Sequence, residues 1–316
     1  MPTHRTTGRP GGARIWPESS PTLLDGGLAT ELHRRGVDIA APAWTTAALL
    51  RSDGRNLLHD IHLRYARAGA DVLTVNSFRC NLRCLRRLGM DDRRAARTVR
   101  GAVALADSAR AAADRSGIRL AGSVAPVEDC YRPRLVPDNA TLEREHRWLV
   151  DQLCSAGVDL LLIETMNTQR EAVTAVRAGY DAGVEVWASF VCDDWANLLS
   201  GESLVAAATA VRHAGATTVL ANCATPVATN RAVRALSAAG LPAIGGYPNL
   251  EDRSSVPAYA AAPDPMPTGT TPADYVSLVA GWMAELRPAV VGGCCGSTPE
   301  HIDALARALG RGVPSS

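Results

Sequence analysis

The stretch Ala156-Gly157-Val158-Asp159-Leu160-Leu161-Leu162-Ile163-Glu164 holds the unit from which the rest of the chain is built. Before it, Leu142, Trp148, Leu149 and Leu153 recur at helical spacing. Ala-Gly then closes that helix, since glycine accepts the left-handed backbone that ends a helix. A short apolar run follows and stops on a carboxylate. The same wording recurs as Ala-Gly69-Ala, Ser-Gly117-Ile, Ala-Gly183-Val, Ala-Gly215-Ala and Ala-Gly240-Leu. Eight apolar runs result: Thr22–Gly27, Ala70–Phe78, Ile118–Val124, Val158–Glu164, Val184–Val191, Thr217–Cys223, Pro242–Tyr247 and Pro288–Gly293. Helical spacing fills the gaps, as in Leu57-Ile61-Tyr65-Ala68. Eight strand-then-helix units predict an α/β fold, a single (β/α)8 TIM barrel, and 316 residues suit it. A doubly wound sheet is the alternative. It would want a glycine-rich phosphate loop after its first strand, and Asp25-Gly26-Gly27-Leu28-Ala29-Thr30 has the wrong spacing.

Residues 1–20 are polar and rich in Gly, Pro, Arg and Thr, with no apolar core of a secretory signal, so they predict a disordered tail before a barrel spanning 21–316. No apolar run approaches the roughly 18–20 residues of a membrane span, and a cytoplasmic location follows by default. The net charge of +1 makes no global case for nucleic acid or an acidic membrane. The arginines from Arg83 to Arg100 read as one solvated helix face. All 33 basic residues are arginine. The absence of lysine excludes Schiff-base aldolases, pyridoxal-phosphate enzymes and P-loop nucleotidases. The irregular stretch from Asn249 to Thr271 follows the seventh strand and reads as a substrate cover at the barrel mouth.

In a barrel of this kind, catalytic groups stand at the C-terminal ends of strands. Strand 1 is expected to end in Asp25, strand 4 in Glu164, strand 6 in Asn222-Cys223, strand 7 in Tyr247-Pro248-Asn249 and strand 8 in Gly293-Cys294-Cys295. The eight cysteines are scattered, which argues for thiols or metal ligands rather than a disulfide framework. Adjacent cysteines framed by glycine can turn both sulfurs to one point, and Cys223 joins them from strand 6. Three thiolates and an open position describe a catalytic Zn²⁺ site. Such an anionic site activates water poorly and a thiol well, which suits thiol alkylation.

These residues resemble the homocysteine S-methyltransferases, which include the S-methylmethionine- and betaine-dependent enzymes and the homocysteine domain of cobalamin-dependent methionine synthase. The resemblance runs from about Thr22 to the end. It rests on Leu24-Asp25-Gly26-Gly27, Ala70-Asp71 to Asn76-Ser77-Phe78, Glu164-Thr165, Asn222-Cys223, Tyr247-Pro248-Asn249 and Gly292-Gly293-Cys294-Cys295-Gly296. It implies that Cys223, Cys294 and Cys295 hold zinc, with a homocysteine thiolate as fourth ligand and methionine as product. Asp25 and Glu164 would grip the α-ammonium group. Asp25 could instead cap the helix at Leu28, and Glu164 could sit in a salt bridge. Asn222 could bind substrate or fix the backbone beside the ligand. Trp44, Phe78 and Tyr247 are candidates to cradle an onium donor, Trp44 alternatively being a packing residue.

Several features depart from the family pattern, among them the acidic pair Glu128-Asp129. Ala125 stands where glycine is common, and Thr165 stands where the betaine-dependent branch has tyrosine. Cys80 and Cys130 are extra thiols expected near the mouth. With no cobalamin- or folate-binding domain following the barrel, a free small-molecule donor is expected, and a sulfonium, S-methylmethionine or S-adenosylmethionine, is the first reading. The implied partners are that donor and a small-molecule thiol, with no nucleic acid or membrane and the oligomeric state left open. Selenocysteine or another thiol as acceptor, and a non-catalytic zinc- or thiol-binding barrel, are the alternatives.

Overall fold

A computed structural model describes residues 20–40, 43–255 and 266–311. Every apolar run forms a strand: β1 (Thr22–Leu23), β2 (Val72–Val75), β3 (Arg119–Val124), β4 (Leu160–Met166), β5 (Glu185–Phe190), β6 (Thr218–Asn222), β7 (Ile244–Tyr247) and β8 (Val290–Val291). All pair in parallel in the order β1-β8-β7-β6-β5-β4-β3-β2, and a bridge from Leu24 to Val72 closes the ring. The fold is a (β/α)8 barrel.

Among the described residues eight helices make the outer layer: α3 (Ser52–Arg67), α5 (Asp92–Ala111), α6 (Asn139–Ser155), α7 (Gln169–Asp181), α8 (Leu204–His213), α9 (Pro226–Ala238), α10 (Pro272–Glu285) and α11 (Pro299–Ala308). Short helices α1 (Leu28–Arg34) and α2 (Thr46–Leu49) precede α3, and α4 (Leu82–Arg87) precedes α5. The apolar stripe Leu58, Ile61, Tyr65 on α3 is fully buried, as its spacing requires. Gly157, between α6 and β4, takes φ 92°, the left-handed cap expected of it.

Apolar side chains separate into two clusters. The larger lies between strands and helices; the smaller fills the barrel axis with Leu24, Val72, Leu160, Leu162, Trp187 and Leu220. That axial plug leaves the C-terminal mouth to polar residues.

Three expectations meet a different outcome. Glu164 does not end β4, which runs on to Met166 through a register slip, with Thr165 at φ 58°. The arginine-rich stretch is two helices, because Asp91 caps a fresh start by accepting from Arg94 N. Nor is it all solvated: Arg83 pairs with Glu128 at 2.6 Å and Glu145 at 2.7 Å. The tail expected over 1–20 falls almost wholly outside the described residues, as do residues 256–265 of the mouth loop. The described ends of that loop are strapped down, with Leu250 N donating to Cys295 O at 2.7 Å and Thr268 Oγ1 to Gly296 O at 2.6 Å. Among the described residues no helix is long and apolar enough to cross a membrane.

Candidate metal centre and substrate cavity

Cys223 follows β6 in a left-handed conformation, φ 55°, its N–H donating to Tyr247 O on the neighbouring strand. After β8, Gly292 lies so close to β1 that a Cβ there would fall 2.4 Å from Leu24 Cβ. The chain can therefore turn inward at once. Cys294 N donates to Pro248 O, and Ser297 Oγ donates to Cys294 O at 2.6 Å. The three sulfurs of Cys223, Cys294 and Cys295 come within 4.8 Å of one another. Sulfurs bound to one tetrahedral zinc at about 2.3 Å stand about 3.8 Å apart, so the trio fits a single soft metal ion. Hydrogen bonds from the Cys294 and Cys295 thiols hold Cys223 well below the usual thiol range, against its burial. Those bonds push Cys294 up, and the bond to Cys223 does the same to Cys295.

A cavity of about 130 Å³ opens beside the sulfurs. Asp25, Glu164, Trp44, Phe78 and Tyr247 all line it, as do the three cysteines. Asp25 accepts from Thr74 N at 2.8 Å and Thr74 Oγ1 at 2.7 Å. It does not cap α1, whose N-cap is Gly27. Glu164 accepts from the Ser123 hydroxyl and, at 3.1 Å, from Tyr247 OH. Burial pushes both carboxyls up to about 7, and their hydrogen bonds offset only part of that. Among the described residues no positive charge is a main contributor to either value. Two buried acids without a cation favour a ligand that brings one.

Asn222 is fully buried and stands behind the cavity. Its Oδ1 accepts from Ser189 Oγ at 2.7 Å and Thr165 N at 3.1 Å, and its Nδ2 donates to Thr165 Oγ1 at 2.8 Å. The amide is committed to holding Thr165 in its left-handed conformation, which for a threonine costs about 1–3 kcal/mol. The position that Asn222 fixes is thus Thr165, beside Glu164, rather than the backbone beside Cys223. Trp44 and Phe78 already carry a resident cation, Arg79, whose guanidinium carbon lies 5.6 Å and 5.0 Å from their ring centroids. Cys130 lines the cavity, whereas Cys80 is buried against Thr46.

Four contributors escaped the sequence reading. Ser123 ends one residue short of the close of β3 and was legible from that position. Thr74 lies inside β2, Arg79 beyond it, and Tyr131 in a loop; nothing local marks them. Tyr131 also lines the cavity, its hydroxyl 3.4 Å from Cys223 Sγ.

The family model described as homocysteine S-methyltransferase matches residues 22–309. A selenocysteine Se-methyltransferase from Brassica oleracea var. italica is 29% identical, over 91% of this chain and 88% of the relative. Homocysteine S-methyltransferase 3 from Zea mays is 27% identical, over 92% and 90%. Among solved structures, the metallated form of the homocysteine methyltransferase MmuM from Escherichia coli is similar, with TM-score 0.77 and 26% identity, covering 92% of this chain and 96% of that one.

Proposed function

Because the chain belongs to the homocysteine S-methyltransferase family and is a methyltransferase, we propose that it moves a methyl group from a sulfonium donor to the sulfur of homocysteine, making methionine. The observation that carries this reading is the meeting of three thiols within 4.8 Å beside two buried carboxylates in one cavity. Cys223, Cys294 and Cys295 would hold a zinc ion, which when bound lowers the pKa of an acceptor thiol while three anionic ligands keep that sulfur nucleophilic.

The chain's own residues do the rest. Asp25 and Glu164 take the acceptor's α-ammonium group and thereby aim its side chain at the cysteines. Thr74 fixes the Asp25 carboxylate, while Ser123 and Tyr247 fix that of Glu164. Asn222 holds the backbone that presents Glu164. Trp44, Phe78 and the Tyr247 ring supply the aromatic lining against which the donor would lie. The acceptor sulfur forms its bond to the methyl carbon as the donor's S–CH3 bond breaks, and the donor leaves as a neutral thioether. Only a held, desolvated pair reaches this in-line geometry, and the mostly apolar lining of the cavity supports that.

The test is methionine formation by reduced, zinc-loaded protein given homocysteine and, separately, S-methylmethionine, S-adenosylmethionine or betaine. Turnover is expected with a sulfonium and not with betaine. A second reading keeps the chemistry and changes the acceptor to selenocysteine, favoured by the Brassica relative. Se-methylselenocysteine without methionine, under the same conditions, would select it.

A further inference from the structure

One hydroxyl in the cavity has no part in the chemistry above. Tyr131 lies in the loop between β3 and α6, and its oxygen is 3.4 Å from Cys223 Sγ. A loop residue so placed needs a rigid mount, and this loop has one. Glu171 Oε1 accepts from Val127 N at 2.8 Å, and Asn81 Nδ2 donates to Val127 O at 3.2 Å. Arg79 donates to Glu128 O at 2.7 Å, and Arg83 and Arg87 bind the Glu128 carboxylate at 2.6 and 2.9 Å. Asn167 Nδ2, from the segment after β4, donates to Cys130 O at 2.7 Å, and Tyr131 N donates to Asp129 Oδ1 at 2.9 Å. The segments that follow β2 and β4 thus clamp Val127, Glu128 and Cys130, and the side chain that emerges next places its hydroxyl beside the Cys223 sulfur.

We propose that Tyr131 is a positioning residue of the metal centre, donating a hydrogen bond to the Cys223 thiolate that orients this sulfur and carries part of its charge. The direction follows from chemistry: a metal-bound thiolate has no proton, so the phenol must donate. The alternative, the phenol oxygen as fourth ligand, would set it about 3.5 Å from all three sulfurs. Among the described residues its hydroxyl bonds Cys223 and neither Cys294 nor Cys295. Three thiolates on one zinc carry excess negative charge, and a donor to one of them relieves it. The fourth position stays free for the acceptor.

This inference rests on the three-cysteine metal reading of the proposed function, and Tyr131→Phe separates the two. Wild type and variant are loaded with Co(II) and compared by absorption, then loaded with zinc and challenged with a chelator. The expected variant binds one metal per chain, and its sulfur-to-cobalt charge-transfer band moves to lower energy. Its visible d–d bands keep their pattern, it loses zinc about tenfold more readily, and its metal-free Tm is unchanged. An unmoved charge-transfer band with unaltered zinc retention overturns the hydrogen bond. A changed d–d pattern, with a water entering in the variant, overturns it in favour of direct ligation. Weaker zinc retention alongside a lowered metal-free Tm makes Tyr131 merely structural. Wild-type protein that binds no metal overturns the metal reading itself and this inference with it.

Discussion

At the scale of single residues, this barrel keeps charged chemistry where burial opposes it. Asp25 and Glu164 titrate near pH 7 when folded and near 4 when unfolded. The folded protein therefore binds more protons than the unfolded chain between those values. Their stabilising contribution is complete below about pH 4 and lost as pH rises through 7. Asp25→Asn should flatten the fall in Tm of the ligand-free protein between pH 5 and 8, while weakening acceptor binding by tenfold or more. A thermal melt series across pH checks it; an unchanged slope would show that Asp25 is not the strained acid. His62 on α3 has the opposite sign. It is fully buried and neither ring nitrogen has a partner among the described residues. Burial, helped by His59, lowers it to about 4, so its contribution is present above pH 6.5 and lost as pH falls toward 4. His62→Leu should add about 1–3 kcal/mol at pH 7, and more at pH 5, in urea unfolding. Equal or lower stability at pH 5 contradicts that account. The cysteines, Asp25 and Glu164 were legible in the sequence because each residue type stands at the end of an apolar run. Thr74, Arg79 and Tyr131 were not, since their roles come from partners far along the chain.

Among the elements, all eight strands were readable because glycine caps and apolar runs punctuate the chain at regular intervals. Their irregularities were not. The slip in β4 depends on Asn222, whose bonds to Thr165 span 57 residues, so no window around Glu164 contains its cause. The split of the arginine-rich helix was readable in principle from Gly89 and the Asp91 cap, and charge periodicity masked it. The seam between β1 and β8 is two residues wide on each side and depends on Gly292 lying against Leu24. Gly292→Ala should cost about 1–3 kcal/mol, because backbone on both sides must part to admit one methyl group. The same shift should lower metal affinity, since Cys294 follows two residues later. Urea unfolding and a metal titration read both; wild-type stability would mean that the seam relaxes freely.

For the whole molecule, stability and chemistry occupy opposite ends of the barrel. At the N-terminal end Asp71 accepts from Leu23 N at 2.9 Å and from Arg115 at 2.7 Å, and it pairs with Arg311, tying β1, β2 and the C-terminal segment together. The three-cysteine cluster stands at the other end, at the barrel mouth. Cys294→Ala should therefore remove most bound zinc and abolish methyl transfer, with far-UV circular dichroism unchanged and Tm within a few degrees of the metal-free wild type. A collapsed melt would make the metal structural instead. The number and order of the strands, the outer helices and the identity of the three thiols follow from the sequence by itself, because periodicity and caps are local and residue type sets ligand chemistry. Only the tertiary structure decided the rest: that Asn222 faces backbone, that Arg79 covers the two aromatic rings, and that Tyr131 reaches Cys223. These depend on closure of the ring, which brings together loops whose separation along the chain carries no trace of their meeting.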